Sequence, residues 1–341
     1  MKKYLLILLI AATGFCYAKP APPSRSHLLI DANWKFNLVD VKDAQSVTFN
    51  DASWRNLDLP HDWSIEGEFD RNAPTGGGGG YLPTGIGWYR KTFKLPAGTS
   101  GKQVAIQFDG VYQNSEVWIN GHYLGKRPNG YISFVYDLTP YLKANNNIIA
   151  VRVEDSKQPN SRWCSGSGIY RPVWFNITNA VHVVQWGTYI TTQQADEKSA
   201  MVMVKTQVEN TGTAITNATL TAAIVDESGH TIASEKSSLS VAANASAEAP
   251  LQINVTSPKL WSVDHPNLYT MHISITNGKK ILDEYDQPFG IRTIKYSSTD
   301  GFLLNGQRVK MNGVCIHHDG GCVGAAVPLK IWQQRLQRLK E

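Results

Sequence analysis

Gly301-Phe302-Leu303-Leu304-Asn305-Gly306-Gln307-Arg308-Val309-Lys310-Met311-Asn312-Gly313-Val314-Cys315-Ile316-His317-His318-Asp319 is the stretch on which the fold turns. Residues 302–304 form a short apolar run. Asn305-Gly306 suits the positive φ angles of a tight type I′ turn. Val309 and Met311 alternate with Lys310 and Asn312, the period of a half-buried strand. Val314 and Ile316 carry the apolar run up to His317, His318 and Asp319. Three ionisable side chains where an apolar strand stops are unusual for packing and ordinary at the mouth of a site. The stretch therefore predicts a hairpin, then a strand that ends at a site.

Downstream, residues 320–327 are a small-residue loop, and Pro328 suits the first position of a helix. Leu329, Trp332, Leu336 and Leu339 fall on one helical stripe. This is one βα unit, with apolar faces that call for neighbours.

Upstream, residues 27–182 read as many short strands. Trp34 and Phe36 alternate with Lys35 and Asn37, Val104, Ile106 and Phe108 with Ala105 and Gln107, and Ile149, Val151 and Val153 with Ala150 and Arg152. Asn120-Gly121 is a second hairpin signal, and no segment sustains a helical period. Such a pattern predicts a sandwich or jelly roll. Residues 183–292 alternate again, at Val202, Val204, Thr206 and Val208, then Leu220, Ala222 and Ile224, then Met271, Ile273 and Ile275. About seven strands in about 110 residues suit an immunoglobulin-like sandwich. Trp261 is expected to anchor its core. The five-glycine run at residues 76–80 has no Lys-Ser/Thr after it and is read as a mobile loop, not a phosphate cradle.

Four words occur in order through the first segment: Leu59-Pro60-His61-Asp62-Trp63, Gly87-Trp88-Tyr89-Arg90-Lys91-Thr92-Phe93, Asn120-Gly121-His122-Tyr123-Leu124-Gly125 and Ser167-Gly168-Ile169-Tyr170-Arg171-Pro172-Val173-Trp174. With Pro258-Lys259-Leu260-Trp261 and Pro266-Asn267-Leu268-Tyr269, and the stretch quoted first, they resemble glycoside hydrolase family two, the β-galactosidase and β-glucuronidase group. The resemblance implies a jelly-roll sugar-binding domain at 27–182, an immunoglobulin-like sandwich at 183–292, and at 293–341 the N-terminal fragment of a (β/α)8 catalytic barrel. Such a barrel should run for roughly 250 residues, so the chain is expected to be truncated one helix in. His317 matches a family position that contacts the sugar. In the family the loop before the Gly-Ile-Tyr-Arg word also reaches the sugar, in some members through an Asp. Ser161 and Arg162 stand here instead, and Arg162 or Trp163 is expected nearest the pocket.

Locally, Asp62 is expected to accept a bond in an Asx turn. Arg171 is expected to form a fixed ion pair, and most of these polar residues are read as fold support. Substrate contact is assigned to His317, His318, Asp319, Arg162 and Trp163, with His317 donating to a sugar hydroxyl and Asp319 or a carbonyl orienting an imidazole. Three adjacent residues on an extended strand cannot all face one metal, so no metal or cofactor is expected.

Retaining glycoside hydrolysis needs two carboxyl groups roughly 5–5.5 Å apart, one of them held protonated. In the family both are glutamates on later barrel strands. Glu154-Asp155 point to opposite faces of a strand, and Asp109, Glu116 and Asp137 show no pairing signal. The catalytic carboxylates are expected to be absent, and the fragment inactive. Two other classes remain: a non-catalytic carbohydrate-binding protein, and a structural β-domain interaction module.

Met1-Lys2-Lys3, an apolar run from Leu5 to Ala12, and Cys16-Tyr17-Ala18 read as a cleaved secretion signal over residues 1–18. Phe15 stands where a lipid anchor on Cys16 would want a small residue. The expected product is periplasmic or extracellular, with no membrane anchor. Its removal lowers the net charge from +5 to +3, too little for a nucleic-acid partner. A carbohydrate substrate is the expected partner, and homo-oligomer formation in the full-length enzyme is left open. Cys164, Cys315 and Cys322 form neither a disulfide framework nor a zinc pattern.

Overall fold

The computed structural model describes residues 23–158, 160 and 163–341. The expected leader at 1–18 and the expected contact Arg162 lie outside the described residues. Ten short strands come first: β1 (Arg25–Leu29), β2 (Trp34–Asn37), β3 (Arg55–Leu57), β4 (Ile86–Phe93), β5 (Gln103–Phe108), β6 (Ser115–Ile119), β7 (His122–Arg127), β8 (Phe134–Asp137), β9 (Asn147–Glu154) and β10 (Val173–Thr178). They form a six-stranded sheet, order β3-β2-β4-β9-β6-β7, and a four-stranded sheet, order β1-β10-β5-β8. The alternation seen in the sequence points one residue in two inward. Trp34, Phe36, Tyr89, Ile106, Phe108, Ile149, Val151 and Phe175 fill the space between the sheets. Asn120 and Gly121 take φ of 51° and 85° in the turn between β6 and β7, as the Asn-Gly pair predicts.

The buried Arg90 shows what the polar words do. Its Nε donates to Asp51 Oδ2 at 2.9 Å, and its Nη1 donates to the carbonyls of Ala44 and Ser46. A guanidinium so satisfied ties the loop after β2 to the sheet. Arg171 differs from expectation. Its guanidinium lies over the Tyr170 ring and donates to the Tyr131 carbonyl, and it makes no ion pair among the described residues.

Seven strands follow: β11 (Val181–Ala195), β12 (Ser199–Asn210), β13 (Thr216–Val225), β14 (Thr231–Val241), β15 (Ala245–Thr256), β16 (Tyr269–Asn277) and β17 (Lys280–Phe289). Sheets of order β11-β12-β15 and β14-β13-β16-β17 close on Val202, Val204, Val208, Leu220, Ile253, Met271 and Ile273. Trp261 is not in that core. It is half-buried under the Arg292 guanidinium, 4.7 Å from its ring centre, where the sandwich meets the next segment. The two sandwiches are joined through buried Asp283, which accepts from Arg25 Nη2 at 2.6 Å, Arg25 Nε at 3.1 Å and the Val183 amide at 2.7 Å.

The last part holds β18 (Ile294–Ser297), β19 (Gly301–Leu304), β20 (Gln307–Arg308) and α1 (Leu329–Lys340). Asn305 and Gly306, at φ of 51° and 77°, make the expected turn. The strand expected beyond it does not form. Pairing stops at Arg308, and Met311, Val314 and Ile316 are exposed, because no neighbouring strand among the described residues offers backbone partners. Pro328 caps the helix instead of starting it, and Leu329, Leu336 and Leu339 of the apolar stripe are exposed.

Candidate functional site

Although residues 309–318 are not a strand, the chain brings them back to the first sandwich. His318 Nε2 donates to the Ser165 carbonyl at 3.0 Å. That bond puts a proton on Nε2, since a carbonyl oxygen can only accept. The imidazole sits between two tyrosines, at 5.6 Å and perpendicular to Tyr131, and at 5.7 Å from Tyr170. His317 is exposed, with its ring 5.6 Å from that of Trp163. Asp319 does not reach either imidazole. Its Oδ1 accepts from the Gly321 amide at 3.4 Å, and its carbonyl from Arg335 Nη1 at 2.7 Å, so it shapes its own loop and docks α1. The structure thus groups His317 and His318 with Trp163 and leaves Asp319 aside.

Beside this group lies a cleft of about 580 Å³ lined by Tyr112, Gln113, Asn129, Gly130, Tyr131, Asn160 and Trp163, within the range of small-molecule sites. Asn129 holds the Tyr131 wall in place, its Oδ1 accepting from the amides of Tyr131 at 2.8 Å and Ile132 at 3.2 Å. Tyr131 did not stand out in the sequence. The Asn129-Gly130 pair was a turn signal, but nothing in it told which loop the turn would face.

Two carboxylates lie close to the cleft and to each other. Ser167 donates its amide to Asp62 Oδ1 at 2.9 Å and its hydroxyl to Asp155 Oδ2 at 2.6 Å. They are not arranged for glycoside chemistry, because both are buried and taken up by internal donors. Asp62 also accepts from the Ser64 amide and hydroxyl and, at Oδ2, from the Ala325 amide at 2.8 Å. The expected Asx turn is there, and the same carboxylate fastens the loop before α1 to the first sandwich. A side chain at Gly166 would collide with Ala325 and Asp62, so the approach needs glycine there. Asp155 accepts from Asn160, Gln158 and Gln113 as well. Burial pushes its pKa up to about 6, against the pull of Ser167, Gln113 and Asn160. The space between Asp155 and the 163–167 turn holds only about 20 Å³, room for about one water and no sugar ring.

Comparison with known proteins gives the family. The models "Glycosyl hydrolases family 2, sugar binding domain" and "Glycosyl hydrolases family 2" match residues 80–184 and 181–292. This chain belongs to glycosyl hydrolase family 2. It is 47% identical to the β-galactosidase BoGH2A of Bacteroides ovatus over 96% of this chain and 39% of that protein. It is 40% identical to a putative β-glucuronidase of Formosa agariphila over 98% of this chain and 31% of that protein. Among solved structures, a β-glycosidase from Bacteroides vulgatus superposes with a TM-score of 0.86 at 42% identity, covering 92% of this chain and 40% of that one. The family 2 chain therefore spans about two fifths or less of the relatives named here.

Proposed function

We propose that these residues are the accessory β-domains and the first substrate-contacting segment of an exported β-galactosidase-like glycosidase. The observation that carries this is the meeting of His317 and His318 with the 163–165 loop and Tyr131 beside an open cleft of about 580 Å³. The identity to a β-galactosidase over nearly all of the chain supports the galactoside choice. In this reading Trp163 offers a ring face to the apolar side of a sugar, His318 Nδ1 accepts from one hydroxyl, and exposed His317 contacts another. The two glutamates of a retaining mechanism lie outside these 341 residues, so the chain binds sugar and does not cleave it. With them, the whole protein would hydrolyse a β-linked glycoside through a glycosyl-enzyme intermediate.

The test is an assay of this chain on chromogenic β-galactoside and β-glucuronide, with galactose binding followed at the Trp163 indole by NMR. The expected result is no turnover, and a Trp163 shift that His318→Ala removes. Turnover at the rate of an intact β-galactosidase would overturn the inactive-fragment reading. Galactose binding that survives deletion of residues 293–341 would favour a stand-alone sugar-binding protein. Export is tested by N-terminal sequencing of the mature chain, expected to start at residue 19.

A further inference from the structure

A second cleft, of about 450 Å³, lies where the two sandwiches meet. One wall belongs to the first sandwich and includes Arg127, Ile132 and Asn176. The other belongs to β11 and β12 and includes Gln185, Trp186 and Glu209. Its most unusual member is Trp186. Pairing of β11 with β12 breaks between Val183 and Thr188, and inside that break Trp186 takes a φ of 59°. A bulky non-glycine residue seldom adopts this left-handed conformation. The next residue must be glycine, since a Cβ on Gly187 would stand 2.7 Å from the Val184 carbonyl oxygen. Bulges of this kind re-aim side chains. Here the result is Trp186, 62% exposed, on the cleft wall.

The floor is built from fixed amides. Gln107 Oε1 accepts from Asn176 Nδ2 at 3.0 Å and Gln185 Nε2 at 2.9 Å, which fixes both groups and leaves Gln185 Oε1 as an acceptor. Most of the charged groups on the cleft already have partners within the protein. Arg25 is held by Asp283, His182 faces Glu209 at 3.6 Å, and Asp137 accepts from the Thr139 amide. Arg127 alone has no acidic partner among the described residues. It rests on the rings of Phe134 and Tyr136. A ring face, rigid amides and one spare donor fork suit a neutral polyhydroxylated ligand better than a polyanion or an apolar one.

One loop runs from the first cleft to this one. Asn129, Gly130 and Tyr131 line the cleft beside His318, and the next two residues, Ile132 and Ser133, line this one. From these observations we infer that the cleft between the sandwiches is a distal subsite for a β-linked oligosaccharide, with Trp186 as its stacking platform. Its ligand class rests on the glycosidase reading above. A glycan whose end is held at Trp163 and His318 would pass over residues 131–132 and lay a later sugar on Trp186.

The experiment follows the indole N–H signals of Trp163 and Trp186 in the whole chain, titrated with galactose and with β-1,4-galactotetraose. Galactose is expected to move Trp163 alone, and the tetraose both. Trp186→Ala should weaken tetraose binding about tenfold, the loss of one good aromatic contact, and leave galactose binding unchanged. Trp186→Phe should restore most of the loss. An exposed residue in a conformation that costs the fold is not expected to be needed for stability, and a melting curve of the alanine variant checks this. A tetraose that shifts Trp163 but not Trp186, one that shifts neither, or an alanine variant with unchanged tetraose affinity, would overturn the inference. Movement of Trp186 without Trp163 would uphold this subsite and count against the site proposed at His318.

Discussion

In β12, Val202, Val204 and Val208 are fully buried, and Ile273 and Ile275 of β16 meet them from the facing sheet. In the last thirty or so residues, Met311, Val314, Leu336 and Leu339 are each more than half exposed, at 65%, 73%, 59% and 59%. The residue types are alike, and so is the regularity of their spacing. A periodic apolar pattern states only that an element has a face to cover. In the sandwich, the covering sheet is encoded in the same chain. For residues 309–341, no described residue supplies it. That segment is held to the first sandwich at a few points instead: Asp62 accepts from the Ala325 amide, His318 donates to the Ser165 carbonyl, and buried Ala325 packs with Tyr112 and Tyr170.

The contrast can be tested by substitution. The largest loss is expected at the joint between the sandwiches. Asp283→Ala leaves Arg25 without its buried partner and should cost about 3–5 kcal/mol in urea unfolding, with the double variant Arg25→Ala/Asp283→Ala recovering part of it. A loss under about 1 kcal/mol there would mean that the sandwiches are joined by something else. Asp62→Ala should cost about 1–3 kcal/mol, because it strands the Ser167 and Ala325 amides. Hydrogen exchange should show protection lost at Ala325 and kept in β12. If protection at Ala325 stays, the tail is not held by this carboxylate.

Smaller in effect is a pH dependence. Asp155, raised by burial to about 6 from an ordinary 3.8, binds its proton more tightly folded than unfolded. Its contribution to stability is therefore complete below about pH 4 and is lost as the pH rises through 6. The stability of wild type relative to Asp155→Asn should fall between pH 4 and pH 6. A difference that stays flat or rises would show the carboxyl to be ionised throughout. The smallest effect belongs to the exposed stripe. Leu336→Ala should change stability by no more than about 0.5 kcal/mol, and a loss above 2 kcal/mol in the same urea series would show that this face is covered in solution.

Much of the architecture could be read without coordinates. Asn120-Gly121 and Asn305-Gly306 form the turns their φ preferences require, and alternation placed β2, β5, β9, β12 and β16 with the correct residues inward. The site was legible only in pieces. Trp163, His317 and His318 stood out by residue type and by resemblance, and the structure groups them. Asp319 stood out equally and serves its own loop. Tyr131 was overlooked, and Asp155 was weighed only against its neighbour Glu154, since their roles come from partners elsewhere in the chain. Trp261 was expected in the core and lies outside it, under Arg292, because a Pro-x-Leu-Trp word shows that an indole is near a sheet end and not which side it packs on.

By itself, then, the amino-acid order determined the local matters: where strands run, which residues face inward, where glycine turns the chain, and to which family the words belong. These follow from backbone stereochemistry and from a period of two, both of which act over a few residues. Tertiary structure alone decided that Asp62 reaches the Ala325 amide across 263 positions, that Tyr131 closes on His318, and that Trp186 is turned out over a cleft. Each of these depends on the relative placement of sheets, which the packing of two cores sets and no local pattern encodes.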